Sequence, residues 1–412
     1  MKQVERVTGW LLGILITMMI LRIVSYFMVS ESAAVTRVFK VFLRILLTGI
    51  AYLLYRREMG RRAYPFAYFN VLAWFFYVLY LLLGIASLMW SSSAPYSALQ
   101  LVMDVECVAF VYWYWKLVLI AGEQNQRGAA KTMAHILGVS ISLILAVFIV
   151  GMLVDPEKFY RETHGGAVAR LGGFIINPNE LGMLIVVGAG AIYTLMLNEG
   201  RRTWHLLGLG VLVYTLVLTG SRSSMISFFA VTGFFVLIGG SFRLKLGAVA
   251  GGVAAVPFVV QEVFIKEGDV GEVMSMTGRL PFWTDLLTFS FPQRPLFGYG
   301  FMRISTTDKF DSLHAYAGAM THNTFLQVLL NLGMVGAAVV LFQMVLTVRA
   351  FARERDAVLK HLVVGVFIPI FVNSLTEFGI FGETNYGIMW YLFIIYGLMV
   401  KIPSQGGKIA SV

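Results

Sequence analysis

Residues 203–239 read TWHLLGLGVLVYTLVLTGSRSSMISFFAVTGFFVLIG. The stretch is apolar except at its middle, where Thr219-Gly220-Ser221-Arg222-Ser223-Ser224 interrupts it. A membrane helix needs about 20 apolar residues, and this stretch is long enough for two. A glycine and a charge inside such a run mark a tight turn between two spans. The apolar residues are continuous and do not alternate with polar ones, so a β-barrel is excluded.

Working outward, further runs of the same kind fill the chain. Twelve candidate spans fall at about 7–29, 38–55, 66–90, 99–121, 132–154, 181–198, 203–220, 223–239, 242–260, 321–347, 358–378 and 384–400. The composition agrees: of 412 residues, 58% are hydrophobic and 13% charged, and mean hydropathy is +0.78. Soluble domains carry about 25% charged residues. The expected fold is therefore an all-α polytopic membrane protein, with residues 1–412 forming one helical domain. The first run is too long for a signal-peptide apolar core and lacks a small-x-small cleavage site, so it reads as an uncleaved anchor. The single cysteine, Cys107, excludes an internal disulfide and any cysteine-based metal site.

The net charge of +10 and pI near 9.6 would suggest nucleic acid in a soluble protein. Here 18 of the 32 lysines and arginines fall in alternate loops if both termini are cytoplasmic. That is the positive-inside pattern, so the charge is mostly topological, with some attraction to anionic lipid. No nucleic-acid partner is expected.

Two outer segments exceed a turn, 155–180 and 261–320, and long loops in compact proteins are usually functional. Within the second, Leu280, Trp283, Leu286 and Leu287 fall on one helical face. That predicts an amphipathic helix at the membrane interface, with Phe282 and Trp283 at headgroup depth. Ionisable groups at outer helix ends are functional candidates. Arg170, Arg222 and Arg279 come from separate outer segments, and together they would make an anion site. Guanidinium matches phosphate oxygens bidentately and keeps its charge when partly desolvated. Each also has a plain reading as a headgroup-facing residue, as do Arg161, Arg294 and Arg303.

His322 starts a long span and is the candidate for proton transfer, since imidazole titrates near neutrality. A lone histidine there also has a plain reading as a polar cap. Asn323 is placed to orient it or to bind sugar. Glu377 and Glu383 flank the last outer loop, where they would contact sugar hydroxyls or balance the arginines. His164 and His314 are outer helpers. Inside the spans, Asp104 and Glu106 face different directions, and Arg22 is expected to pair or snorkel, Glu106 and Asp104 being possible partners. Gly333-x-x-Gly336 is expected to permit close helix packing. There is no Asp-x-Asp, no His-x-x-x-His and no glycine-rich phosphate loop, so neither a metal nor a nucleotide cofactor is expected.

Four pieces in order carry a resemblance. They are Arg170-Leu171-Gly172-Gly173-Phe174 with Asn177-Pro178-Asn179-Glu180-Leu181-Gly182; Ser221-Arg222-Ser223-Ser224; Gly278-Arg279 with Trp283 and then Pro295-Leu296-Phe297-Gly298-Tyr299-Gly300; and His322-Asn323 followed by Gly333-x-x-Gly336. In these the chain resembles the O-antigen ligase and polymerase superfamily, membrane glycosyltransferases of the GT-C type. The histidine–glycine spacing favours the ligase branch, although Ala337 stands where threonine or valine is common.

The resemblance implies a donor glycan on undecaprenyl pyrophosphate at the periplasmic face of the bacterial inner membrane. The acceptor would be a sugar hydroxyl, on lipid A–core for a ligase or on a second lipid-linked glycan for a polymerase. It implies inverting, metal-independent transfer. Arg170, Arg222 and Arg279 would bind the diphosphate and His322 would act as base, with Asn323, Asn179, Glu383 and His314 as weaker sugar-binding or orienting positions. A flippase or transporter is a distant alternative, because two-fold repeats and broken midplane helices are not evident. A peptidoglycan-type polymerase would be expected to offer a carboxylate base in its long outer loop, and Asp285, Asp308 and Asp311 do not fit that pattern.

Overall fold

The computed structural model describes residues 2–28, 30, 32–163, 168–243, 245–247, 250, 278–301, 321–377 and 379–403. Helices dominate. They are α1 (Lys2–Val24), α2 (Ala33–Arg61), α3 (Val71–Ala86), α4 (Ala94–Gln124), α5 (Ala129–Val154), the one-turn α6 (Pro156–Phe159), α7 (Pro178–Glu199), α8 (Thr203–Thr219) and α9 (Arg222–Gly239). After the long loop come α10 (Arg279–Asp285), α11 (Thr324–Arg353), α12 (Ala357–Thr376) and α13 (Tyr386–Met399). Among the described residues eight helices are long and apolar enough to cross a membrane, and α1, α8 and α13 contribute shorter apolar helices. Eleven of the twelve expected runs thus have a helix. The remaining run, 242–260, lies mostly outside the described residues.

The turn expected in 219–224 is present. Gly220 takes the left-handed C-cap of α8, and the Ser221 side chain accepts from the Ser224 amide to start α9. Segment 155–180 departs from an all-helical expectation. It holds a β-hairpin in which β2 (Tyr160–Thr163) pairs antiparallel with β3 (Val168–Leu171), Arg161 opposite Arg170. At the other end of the bundle, β1 (Ala67–Tyr68) pairs with β4 (Val400–Lys401).

Helix α13 is buried throughout, and α4 and α7 are buried over most of their length. Of the eight membrane-length helices described, α2 and α9 are the least buried, and large apolar residues such as Phe42, Leu53, Phe229 and Leu237 are exposed on them. Exposure of this kind is what a lipid-facing shell requires. The closest crossing joins α7 to α12. A Cβ on Gly190 would meet the Gly365 backbone at 2.6–2.7 Å, so both positions need glycine for the backbones to touch. The two helices run antiparallel. Asn179 stands before Gly190 on α7 and Glu377 stands a similar distance after Gly365, at the C-cap of α12. This crossing therefore brings the start of α7 against the end of α12.

Two of the charges inside the bundle pair with each other. Arg22 donates to both Glu106 oxygens at 2.7 and 2.9 Å, which identifies its partner, and Thr48 donates to the same carboxylate. Asp104 instead accepts from Thr384, so the two carboxylates do face apart as expected.

Gly333 does not serve helix packing. Its backbone is left-handed (φ 65, ψ −163) and breaks α11. The break frees backbone groups that the 294–301 turn takes up. Tyr299 N–H donates to Leu330 O at 2.9 Å, Gly300 N–H to Asn331 O at 2.8 Å, and Met334 N–H to Pro295 O at 2.8 Å. A Cβ at 333 would collide with the Leu296 carbonyl. Gly333→Ala is expected to cost at least about 1–2 kcal/mol for the left-handed backbone alone, with the collision added. Thermal unfolding in detergent should show the lower midpoint, with Gly210→Ala in α8, where a Cβ meets nothing within 4 Å, as the milder comparison.

Candidate active site

The candidate residues gather where α7, α10, α11 and α12 end. At the centre is Glu377, whose side chain is only 3% exposed. Its Oε1 accepts from Arg279 Nη2 at 3.0 Å and from Asn179 Nδ2 at 2.8 Å. Its Oε2 meets His322 Nδ1 at 2.7 Å. Arg279 also donates through Nη1 to the Thr376 carbonyl at 2.6 Å, and its Nε is buried without a partner. Asn179 carries the network onward, since its Oδ1 accepts from Arg170 Nη2 at 2.7 Å. Arg170 Nε donates to the Thr219 carbonyl at 2.7 Å.

Local sequence explains each placement. Asn177 caps α7 by accepting from the Asn179 amide, which stands Asn179 at the helix start. The Ser224 hydroxyl donates to the Asn179 carbonyl at 3.3 Å, joining the start of α9 to the start of α7. Arg222 is the first residue of α9. Among the described residues it has no hydrogen-bonded or ion-paired side chain, and its charge reaches Arg170.

His322 has φ 50, a left-handed conformation uncommon for a residue with a side chain. Such outliers persist only where surrounding contacts hold them. Here the Trp283 indole donates to the Thr321 carbonyl at 2.6 Å, and Glu377 holds the imidazole. The helix is capped by Asn323, not by His322: the Asn323 Oδ1 accepts from the Phe325 and Leu326 amides, both at 3.0 Å, and its Nδ2 donates to the Leu375 carbonyl. Asn323 thus stabilises the element that carries His322 and has no bond to the imidazole among those resolved here. Glu383 lies away from the network, on the wall of a neighbouring cavity. His314 and His164 lie outside the described residues.

The amphipathic helix differs from its expected face. Phe282 and Leu286, four residues apart, are the buried pair, packed with Tyr299, Leu326 and Leu330. Leu280 and Leu287 are 41% and 45% exposed. Past Asp285 the helix continues as a wider π turn over Leu286–Ser290. The helix is therefore docked on α11 through Phe282, and this docking aims Arg279 at Glu377.

Electrostatics follow from the contacts. Burial alone would raise the Glu377 carboxyl, but the hydrogen bond and charge of His322, then Arg279 and Asn179, hold it below the usual carboxylate value. Arg170 is lowered by burial and by the neighbouring Arg222, Arg161 and Arg279, against the opposing pull of Glu377. His322 and Arg279 thus contact one carboxylate, Arg170 feels its charge and Arg222 lies beyond Arg170, an excess of positive charge that suits an anion. Because the Glu377 value is depressed on folding, its stabilising contribution is complete above about pH 4.5 and is lost as pH falls below it. Unfolding midpoints measured from pH 7 to pH 3 should fall in the acid range, and Glu377→Gln should flatten that fall. An equal fall in the variant would contradict the assignment.

The sequence points to Glu377 as a group to contact sugar hydroxyls or to balance the arginines; its position at the hub is set by the α7–α12 crossing. The Thr219 and Thr376 carbonyls that steer the two arginines carry no side-chain signal at all.

Comparison with known proteins gives one finding. A family model for O-antigen ligase matches residues 206–341. That segment carries Arg222, Arg279 and His322, while Arg170, Asn179 and Glu377 lie on either side of it. No curated protein matches the chain significantly.

Proposed function

With residues 206–341 placing the chain in the O-antigen ligase and polymerase superfamily, we propose that it transfers a glycan from a lipid diphosphate to a sugar hydroxyl. The donor is undecaprenyl-pyrophosphate-linked glycan at the periplasmic face of the inner membrane, and both termini are cytoplasmic. The acceptor is lipid A–core, which makes the enzyme an O-antigen ligase. The observation that carries the reading is the joining of His322 and Arg279 to one buried carboxylate beside Arg170 and Arg222.

The mechanism follows from that arrangement. Arg222 meets the diphosphate most directly, since it has no competing bond. Arg279 and Arg170 add charge from positions fixed by carbonyl and amide contacts. Preorganised cations of this kind stabilise charge developing on a leaving diphosphate. Glu377 accepts a hydrogen bond from the Nδ1–H of His322, which sets the tautomer in which Nε2 is the basic nitrogen. His322 then removes the acceptor hydroxyl proton as that oxygen attacks the anomeric carbon. The carbon–oxygen bond to the diphosphate breaks on the opposite side, so configuration inverts.

Gene disruption followed by electrophoresis of surface polysaccharide tests the assignment. A ligase leaves polymer on the carrier lipid and none on lipid A–core. Single repeats on lipid A–core would instead identify a polymerase, and unchanged polysaccharide would contradict both.

A further inference from the structure

A second basic cavity opens on the other side of the turn that carries Asn179. It measures about 640 Å³ and is walled by α2, the start of α4, residues 175–180 and residues 383–386. Arg37, Lys40 and Arg44 line it from α2. Their spacing of three and four residues puts them on one helix face. Arg44 is only 5% exposed, and its guanidinium lies 3.8 Å over the Tyr26 ring. Its Nε is buried without a partner. Among the described residues neither Arg37 nor Arg44 makes a hydrogen bond or an ion pair, whereas Arg22, deeper in the bundle, is paired with Glu106. A buried guanidinium left unmatched beside an open cavity is costly unless an anion completes it.

The rest of the wall narrows the kind of anion. Val41, Leu99, Met103 and Ile175 make part of it apolar, as an acyl or prenyl chain requires. Glu180 and Glu383 add carboxylates, Glu180 acting on Lys40, and carboxylates accept from sugar hydroxyls. Asn177 and Glu180 line this cavity while Asn179, between them in sequence, bonds Glu377. One turn therefore separates the two sites.

We propose that this cavity binds the phosphate-bearing headgroup of a second amphiphile, the acceptor lipid, with Arg44 and Arg37 on its phosphate. Its identity as acceptor rests on the transfer reading above; the binding of an amphiphilic phosphate does not.

The test titrates dodecyl phosphate into the full chain held in phosphatidylcholine nanodiscs. Arg44→Gln and Arg37→Gln should each weaken one binding component about tenfold or more, the usual scale for a charged hydrogen bond. Arg279→Gln should leave that component unchanged. Arg37 is exposed, so its variant tests the site without disturbing the core. Wild-type binding in both α2 variants would overturn the proposal. Inorganic phosphate should compete at least tenfold more weakly than dodecyl phosphate, because it leaves the apolar wall uncovered. Equal competition would overturn the lipid assignment in favour of free phosphate. In transfer assays Arg44→Gln should raise the acceptor KM with the donor KM unchanged, and the reverse would overturn the acceptor role. If wild-type protein transfers no glycan yet Arg44-dependent binding persists, the transfer reading fails and the amphiphile site stands.

Discussion

Glu377→Gln is expected to lower glycan transfer by about 10²–10⁴, the range for losing a general base or the group that orients it. The amide keeps the shape of the side chain but cannot accept from His322 and Arg279 as an ionised carboxylate does. The imidazole then loses the contact that fixes its tautomer, and Arg279 loses a charge-assisted bond. The diagnostic part is the combination with His322→Ala. Residues that act as one unit show strongly non-additive losses, so the double variant should be no slower than the worse single variant. Multiplicative losses, measured in the same reconstituted assay, would mean that Glu377 and His322 act independently.

The second large effect is at Arg279. Its alanine variant is expected to lose about 10²–10³ in turnover, the scale for removing one preorganised donor from a developing charge. Arg279→Lys should recover little. Two guanidinium nitrogens hold Thr376 O and Glu377 at once, and a single ammonium cannot reproduce that fork. Full activity in the lysine variant would show that Arg279 supplies charge alone.

Much of the helical architecture was legible because membrane spans write themselves as continuous apolar runs. The turn at 219–224 was legible too, since a charge inside an apolar run is costly in hydrocarbon and the glycine beside it permits a tight turn. The outer hairpin at 160–171 was not, because strands so short have no distinctive period. Arg170, Arg279 and His322 stood out as polar groups at outer helix ends, and they do share one network. Glu377 was visible only as a counter-charge or a contact for sugar hydroxyls. Its place as the hub depends on Gly190 meeting Gly365, a contact between helices far apart in sequence. Gly333 was misjudged for a related reason. A glycine in an apolar run suggests helix packing, whereas here it breaks α11 so that the 294–301 turn can hydrogen-bond to it. The burial of Phe282 in place of Leu280 likewise depends on a surface built by Tyr299, Leu326 and Leu330, distant in sequence, against which the helix docks.

The most direct test is glycan transfer by the purified chain in liposomes carrying an undecaprenyl-pyrophosphate-linked glycan and lipid A–core, following release of free undecaprenyl pyrophosphate. Wild-type protein should release it with stoichiometric glycosylation of the acceptor, and His322→Ala and Arg279→Ala should each reduce that release at least about a hundredfold. Near-normal turnover in both variants would contradict the account.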